Sequence, residues 1–260
     1  MLTNFRAFEM DSTIKFIILK IPLIDGIVMG GGAGLTMHGR FRIVTEKAVF
    51  AMPEASIGLF PDLGASHFLS RIPGYFGEYL GLTGARVDGA EMLACGLATH
   101  FVFSKDLHSL ENALLTQTSS EMTMIYKVIE KFAQKVKIKE DSTYNRLEII
   151  NKCFSKDTVE EILLAVIREG RQQNLKQCFI REYTICCNIL RAAINSDLFE
   201  GSRAMLFDKD KKPKWEPPKL ESVSKDMVDR CFSAIDEDDW EYLQLPSRSN
   251  TADKILQPRL

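Results

Sequence analysis

No two cysteines of this 260-residue chain stand at C-x-x-C spacing; the six, at 95, 153, 178, 186, 187 and 231, are scattered. That excludes a ribbon-type zinc site and a thioredoxin-like redox pair. The four histidines do not fall beside carboxylates at ligand spacing, so no metal is expected. No apolar run reaches the length of a membrane span, so no membrane partner is expected. The net charge of −2 offers no bulk attraction for nucleic acid. A secretory leader pattern is missing too, so the thiols are expected to be free or buried in a reducing compartment. The loops G-x-x-x-x-G-K-[ST] and G-x-G-x-x-G are absent, which disfavours a phosphate cradle. There is no internal repeat, and only 213–218 is proline-rich.

What is present suffices for a packed core: 45% of residues are apolar and 26% charged. The length fits one or two domains. The chain is organised around residues 24–64. There an apolar run leads into Gly30-Gly31-Gly32, which opens a short helical pattern. A strand, a glycine turn and a helix start leave backbone N–H groups pointing outward. Such groups can hold the oxyanion of an acyl-transfer intermediate. Glu54 follows Pro53, and Asp62 lies within Phe60-Pro61-Asp62-Leu63-Gly64. Each piece alone has a plain explanation: a flexible turn, a helix-start acid, and an N-cap for 63–71. Together they make a kit for opening a thioester or an enolisable acyl group.

The combination resembles the crotonase (enoyl-CoA hydratase) superfamily and, within it, the 3-hydroxyisobutyryl-CoA hydrolase family, especially its plant form. The likeness runs through Asp25 to Leu35, His38-Gly39-Arg40-Phe41-Arg42, Phe50-Ala51-Met52-Pro53-Glu54 and Gly58-Leu59-Phe60-Pro61-Asp62. It continues through Leu82 to Arg86 and Gly96 to Phe101. Later, Ile167 to Arg171 and Gln177 to Tyr183 are similar to that family's C-terminal helical part. Hydratases of the superfamily typically read Gly-Gly-Gly-Cys-Glu-Leu, which gives a second catalytic glutamate. Here Gly34 stands at that place. They also typically carry glycine where this chain has Asp62.

The resemblance implies an α/β fold: a crotonase-like β-β-α spiral core over 1–104 that binds acyl-CoA, then a helical region over 105–260. It implies hydrolysis of a short 3-hydroxyacyl-CoA thioester, most simply 3-hydroxyisobutyryl-CoA in valine breakdown. Gly31 would polarise the thioester carbonyl, with Gly30 beside it at the substrate. Glu54 would act as nucleophile or general base, and Asp62 would orient the substrate hydroxyl or Glu54. CoA belongs to the substrate, and no separate cofactor is expected. Two rivals are another crotonase activity, such as hydratase or isomerase, and a non-catalytic chain that binds acyl-CoA or partners without turnover. The oligomeric state is not set by any of these residues.

Two stretches usual in the superfamily are missing. No Cys-Ala-Gly-Gly-Asp occurs; Lys20-Ile21-Pro22-Leu23 joins directly to the glycine strand. That loop normally supplies the first oxyanion N–H and part of the CoA cradle, so reduced turnover is expected. A helix and a Ser-Pro-x-Ser-Leu segment are missing between Leu164 and Ile167.

Hydrophobic spacing predicts an amphipathic helix over 1–11 and a strand over Ile14–Leu19. It predicts a helix over 33–40 and strands over 41–45 and 48–52, with Glu46-Lys47 as the turn. Helices are expected over 63–71, 75–82, 88–95, 109–117, 120–136, 141–154 and 157–192, and an extended segment over 98–103. His67 and His100 read as core histidines, and Arg71 and Arg86 as structural or surface groups rather than CoA ligands. The terminal Gln257-Pro258-Arg259-Leu260 is similar to an S-K-L address, so a peroxisomal location is expected, with a mitochondrial one as the alternative.

Overall fold

A computed structural model describes residues 6–7, 21–117, 121–155, 161–235 and 243–245; of 6–7, 161–164 and 220 it describes the backbone alone. The expected strand Ile14–Leu19, residues 1–5 and the terminal 257–260 lie outside the described residues. Arg6–Ala7 (β1) is extended rather than helical, pairing antiparallel with Pro22–Ile24 (β2). An edge of backbone donors and acceptors outweighs the weak local helical preference there.

Ile27–Met29 (β3) leads through Gly30 into α1 (Gly31–Thr36). Then come Ile43–Val44 (β4) and Val49–Ala51 (β5). These two strands do not pair with each other across Glu46-Lys47. β4 lies between β2 and β7 (His100–Phe101) in a four-stranded sheet, with Leu23 facing Ile43 and Ile43 facing His100. β5 lies between β3 and β6 (Val87–Asp88) in a three-stranded one, with Val28 facing Phe50 and Phe50 facing Val87. The chain thus passes from one sheet to the other, which is the expected spiral. The turn at 45–48, closed by Ala48 N–H to Thr45 O at 3.1 Å, is a change of sheet and not a hairpin.

Between β5 and β7 lie α2 (Ala65–Leu69), α3 (Phe76–Thr83) and α4 (Gly89–Ala94). Asp88 starts α4 with a capping box: its side chain accepts from Glu91 N–H, and the Glu91 carboxylate accepts from Asp88 N–H. Helices then follow in series: α5 (Leu107–Leu115), α6 (Met122–Glu130), α7 (Leu147–Phe154), α8 (Glu161–Gly170), α9 (Leu175–Leu190), α10 (Asp197–Ser202) and α11 (Lys225–Phe232). The single helix expected over 157–192 is two. Asn174 and Gln177 form a second capping box, so a new helix starts there. Gly170, at the end of α8, lies against the carbonyl of Ser66 where a Cβ has no room.

Apolar residues gather in two clusters. One joins Val28, Phe50, Phe68, Phe76 and Leu80 to Ile150, Val166, Ile167 and Ile185 of the later helices. The other packs Ile21, Leu23, Phe41 and Ile43 against Leu110, Leu114, Ile125 and Ile129 of α5 and α6. Both clusters therefore span the two stretches of chain. Among the described residues, no helix is long and apolar enough to cross a membrane.

Candidate active site

The glycine turn is built by its backbone. Gly30 has φ 50° and ψ −124°, a conformation that residues with a Cβ avoid. It also has no room: a Cβ there would come within 2.9 Å of Glu54 Oε1. The Glu54 carboxylate thus lies against the turn from which α1 rises. Gly31 is exposed, and as the first residue of α1 its N–H has no acceptor within the helix.

Glu54 opens a short 3-10 turn, Glu54–Ile57, straight after β5. The β5 ladder, through Ala51 opposite Met29, holds it at the level of the glycines. The residue is 7% exposed, and its Oε2 has no hydrogen-bond partner among the described residues. Burial pushes its pKa up to about 7; its own backbone N–H opposes this, and the charge of Asp62 adds to it. A buried carboxylate with an open oxygen and a pKa near neutrality is suited to accept a proton or attack a carbonyl.

Asp62 is half-buried, and burial raises its pKa as well. Its side chain does not cap α2: the N-cap is Gly64, without a side-chain cap. Cys186 Sγ of α9 lies 3.9 Å from Asp62 Oδ2. Burial and the charges of Asp62 and Glu182 push that thiol up to about 12, so it is no nucleophile near neutral pH. The structure thus brings Gly30, Gly31, Glu54 and Asp62 near one another.

Three residues were not singled out in the sequence. Leu63, at φ 56°, lies across the glycine turn, with its Cδ1 3.7 Å from where a Gly31 Cβ would be. It also blocks Gly34: a Cβ added there would stand 2.5 Å from Leu63 Cβ. His38 Nε2 donates to the Leu63 carbonyl at 3.0 Å. Glu182 of α9, 2% exposed, accepts from Gly64 N–H at 2.5 Å, from Ser66 N–H at 3.0 Å and from Ser66 Oγ at 2.5 Å. The signal for Glu182 was an acid on the same helical face as Cys178 and Ile185, a face that turns out to be buried.

The remaining candidates are structural. His100 is buried between Thr99 Oγ1 at 2.8 Å and Glu130 at 3.4 Å. His67 is half-buried, with a pKa lowered to about 4, first by burial and then by Arg71 and His38. Arg71 commits its guanidinium to the carbonyls of His67, Gly170 and Gln173, so it is not open to a CoA phosphate. Arg86 is exposed.

Comparison with known proteins places the chain in a family. The family model described as enoyl-CoA hydratase/isomerase matches residues 6–166 and 162–232, and the chain belongs to that family. Within it, the chain is 46% identical to an Arabidopsis thaliana protein named probable 3-hydroxyisobutyryl-CoA hydrolase 2, over 94% of this chain and 75% of the relative. It is 47% identical to 3-hydroxyisobutyryl-CoA hydrolase 1 of the same plant, over 89% of this chain and 69% of the relative. The first alignment covers 282 positions, more than the chain's 260 residues, so the relative carries residues that this chain lacks. The two family-matched segments meet at 162–166, where the second missing stretch was expected. A crystal structure of a carnitinyl-CoA dehydratase from Mycobacterium thermoresistibile shares the fold, with a TM-score of 0.72 and 29% identity over 82% of this chain and 67% of that one. Some relatives carry "mitochondrial" in their names.

Proposed function

We propose that this chain hydrolyses 3-hydroxyisobutyryl-CoA to 3-hydroxyisobutyrate and CoA, a step of valine breakdown. The names of its relatives support this substrate, and one observation of the site supports the reaction type. Leu63 fills the space beside Gly34, the place where hydratases of the superfamily typically carry their second glutamate. A water held between two carboxylates, as addition to a double bond requires, has no second carboxylate at that place.

In the proposed mechanism the Gly31 N–H donates to the thioester oxygen as negative charge develops there. Glu54 either attacks the carbonyl carbon, or takes a proton from the water that attacks it. Both routes need Glu54 ionised, and in both the C–S bond breaks and the CoA thiolate leaves; after direct attack, water then hydrolyses the acyl–Glu54 anhydride, which releases 3-hydroxyisobutyrate and restores the carboxylate. Asp62 orients the substrate 3-hydroxyl or the Glu54 carboxylate. No separate cofactor takes part. The missing loop takes away one oxyanion donor, so turnover is slow for the family.

The test is release of free CoA thiol from 3-hydroxyisobutyryl-CoA by the purified chain, beside hydration of an enoyl-CoA. Thiol release without hydration is the expected result. Acyl-CoA binding with neither reaction would favour a non-catalytic role. As to compartment, the names of some relatives favour mitochondria over the peroxisome read from the terminal tetrapeptide. Imaging the tagged full chain beside markers of both organelles decides between them.

A further inference from the structure

The turn that carries Asp62 is closed by one backbone bond, Ala65 N–H to Asp62 O at 3.1 Å, and contains a residue in a strained conformation. Leu63 at φ 56° sits in a backbone region that residues with a Cβ rarely adopt, and such a residue persists only where its surroundings over-determine it. Here two clamps do so. His38 holds the Leu63 carbonyl from the end of α1. From α9, Glu182 gathers the next two backbone elements of the turn, Gly64 N–H and Ser66 N–H, together with the Ser66 hydroxyl. A carboxylate that only caps a helix is ordinarily local in sequence and wet; this one is 2% exposed and 116 to 118 residues away. Its three donors leave no freedom in where the turn lies.

We propose that Glu182 is a positioning residue for thioester hydrolysis: it locks the Asp62–Ser66 turn onto α9, so that Asp62 faces Glu54 and Leu63 covers the glycine turn. The proposal rests on the hydrolase reading above. It has an electrostatic side as well as a geometric one. Glu182, Asp62 and Glu54 form a row of carboxyls: burial raises the pKa of Glu54 and of Glu182, and the charge of Asp62 adds to each. Repulsion between charges is mutual, so a charged Glu182 makes ionisation of Asp62, and through it Glu54, harder. The other groups facing this turn are His38, His67 and Arg71 from the first stretch of chain and Cys178, Arg181 and Cys186 from α9. Arg181 is paired with Glu169 of α8, and Glu78 of α3 with Arg171. All of these stay when Glu182 is neutralised, so the net change is the loss of one negative charge from the row.

The experiment compares Glu182→Gln with the wild-type chain. An amide keeps the size but turns a donor toward an N–H, so part of the clamp is lost. Misplacing a catalytic group by about 1 Å typically costs on the order of 10²-fold. The expected result is a kcat lower by about tenfold to a hundredfold, with KM for 3-hydroxyisobutyryl-CoA within about threefold. The acid limb of kcat/KM should also move to lower pH. Glu182→Asp, which keeps the charge on a shorter stem, should lose kcat but leave the limb in place. A folded Glu182→Gln variant with wild-type kcat and limb would overturn the proposal. If that variant does not fold, Ser66→Ala removes one of the three bonds, and an unchanged kcat there overturns it equally. Should the wild-type chain release no CoA at all, the hydrolase reading fails by itself. The clamp is then judged by deuterium exchange over 62–66, where equal exchange in wild type and Glu182→Gln refutes it.

Discussion

Residues 21–104 and 107–235 are built in opposite ways. The first stretch is a succession of two- and three-residue strands, helices of eight residues or fewer, and glycine turns. The second has longer helices and, among the described residues, no strand. All four groups proposed to handle the thioester, Gly30, Gly31, Glu54 and Asp62, come from the first. What fixes the acid turn comes largely from the second: Glu182 holds Gly64 and Ser66, and Cys186 stands beside Asp62. Short elements bring reactive groups close together because each turn re-aims the chain. Glu54 is held within the first stretch by the β5 ladder, whereas the Asp62 turn is fastened from outside it, by α9.

The sharpest break between the two stretches should come from Glu54→Gln. Replacing the carboxylate that lies against the glycine turn should lower CoA release by about 10²- to 10⁴-fold, with acyl-CoA binding and the circular dichroism spectrum retained. Wild-type turnover in that variant would move the chemistry elsewhere. Next in size is the reverse experiment. Inserting the missing Cys-Ala-Gly-Gly-Asp loop after Lys20 should raise kcat/KM by on the order of 10² to 10³, the usual worth of one oxyanion donor. Equal values would mean that another backbone N–H already serves.

Gly30→Ala tests how tightly the turn and the acid are fitted. Its Cβ would displace the Glu54 carboxylate and strain a φ of 50°, so about 1–3 kcal/mol of stability should be lost in urea titration, together with activity.

A smaller and pH-dependent effect follows from the raised pKa of Glu54. Its carboxyl binds a proton more tightly folded than unfolded, so the folded state holds more protons between about 4.5 and about 7. Stability contributed by the protonated group is present at low pH and lost as pH rises through that window, by about 3 kcal/mol. Glu54→Gln removes this loss, so its melting temperature should exceed that of wild type at pH 8 and match it more closely at pH 4.5. Catalysis runs the other way, since CoA release needs the ionised form and should rise through about pH 7. The smallest change is Asn174→Ala in the second stretch. Losing this capping box should cost about 1 kcal/mol of stability and leave kcat unchanged, because it frays the start of α9 two turns before Glu182.

The reading of the chemistry came from the sequence. Three consecutive glycines, the acid after Pro53 and the acid after Pro61 are local patterns, and their order is enough to suggest acyl transfer. Glycine at 34 spoke against a second glutamate in the same way. Most helix positions were legible too, because apolar spacing and capping boxes such as Asp88–Glu91 act within one turn of chain. Other features exist only once the chain has packed. Strands of two or three residues carry almost no period of their own, so the pairing of β4 with β2 and β7, and of β5 with β3 and β6, depends on what lies beside them. The close approach of Gly170 to the Ser66 carbonyl exists only where α8 packs on α2. The pKa of Glu54 depends on how deeply the fold buries it. Glu182 closes on Gly64 and Ser66 across more than a hundred residues, and a contact at that separation leaves no periodicity to read: it exists only once the helices have packed.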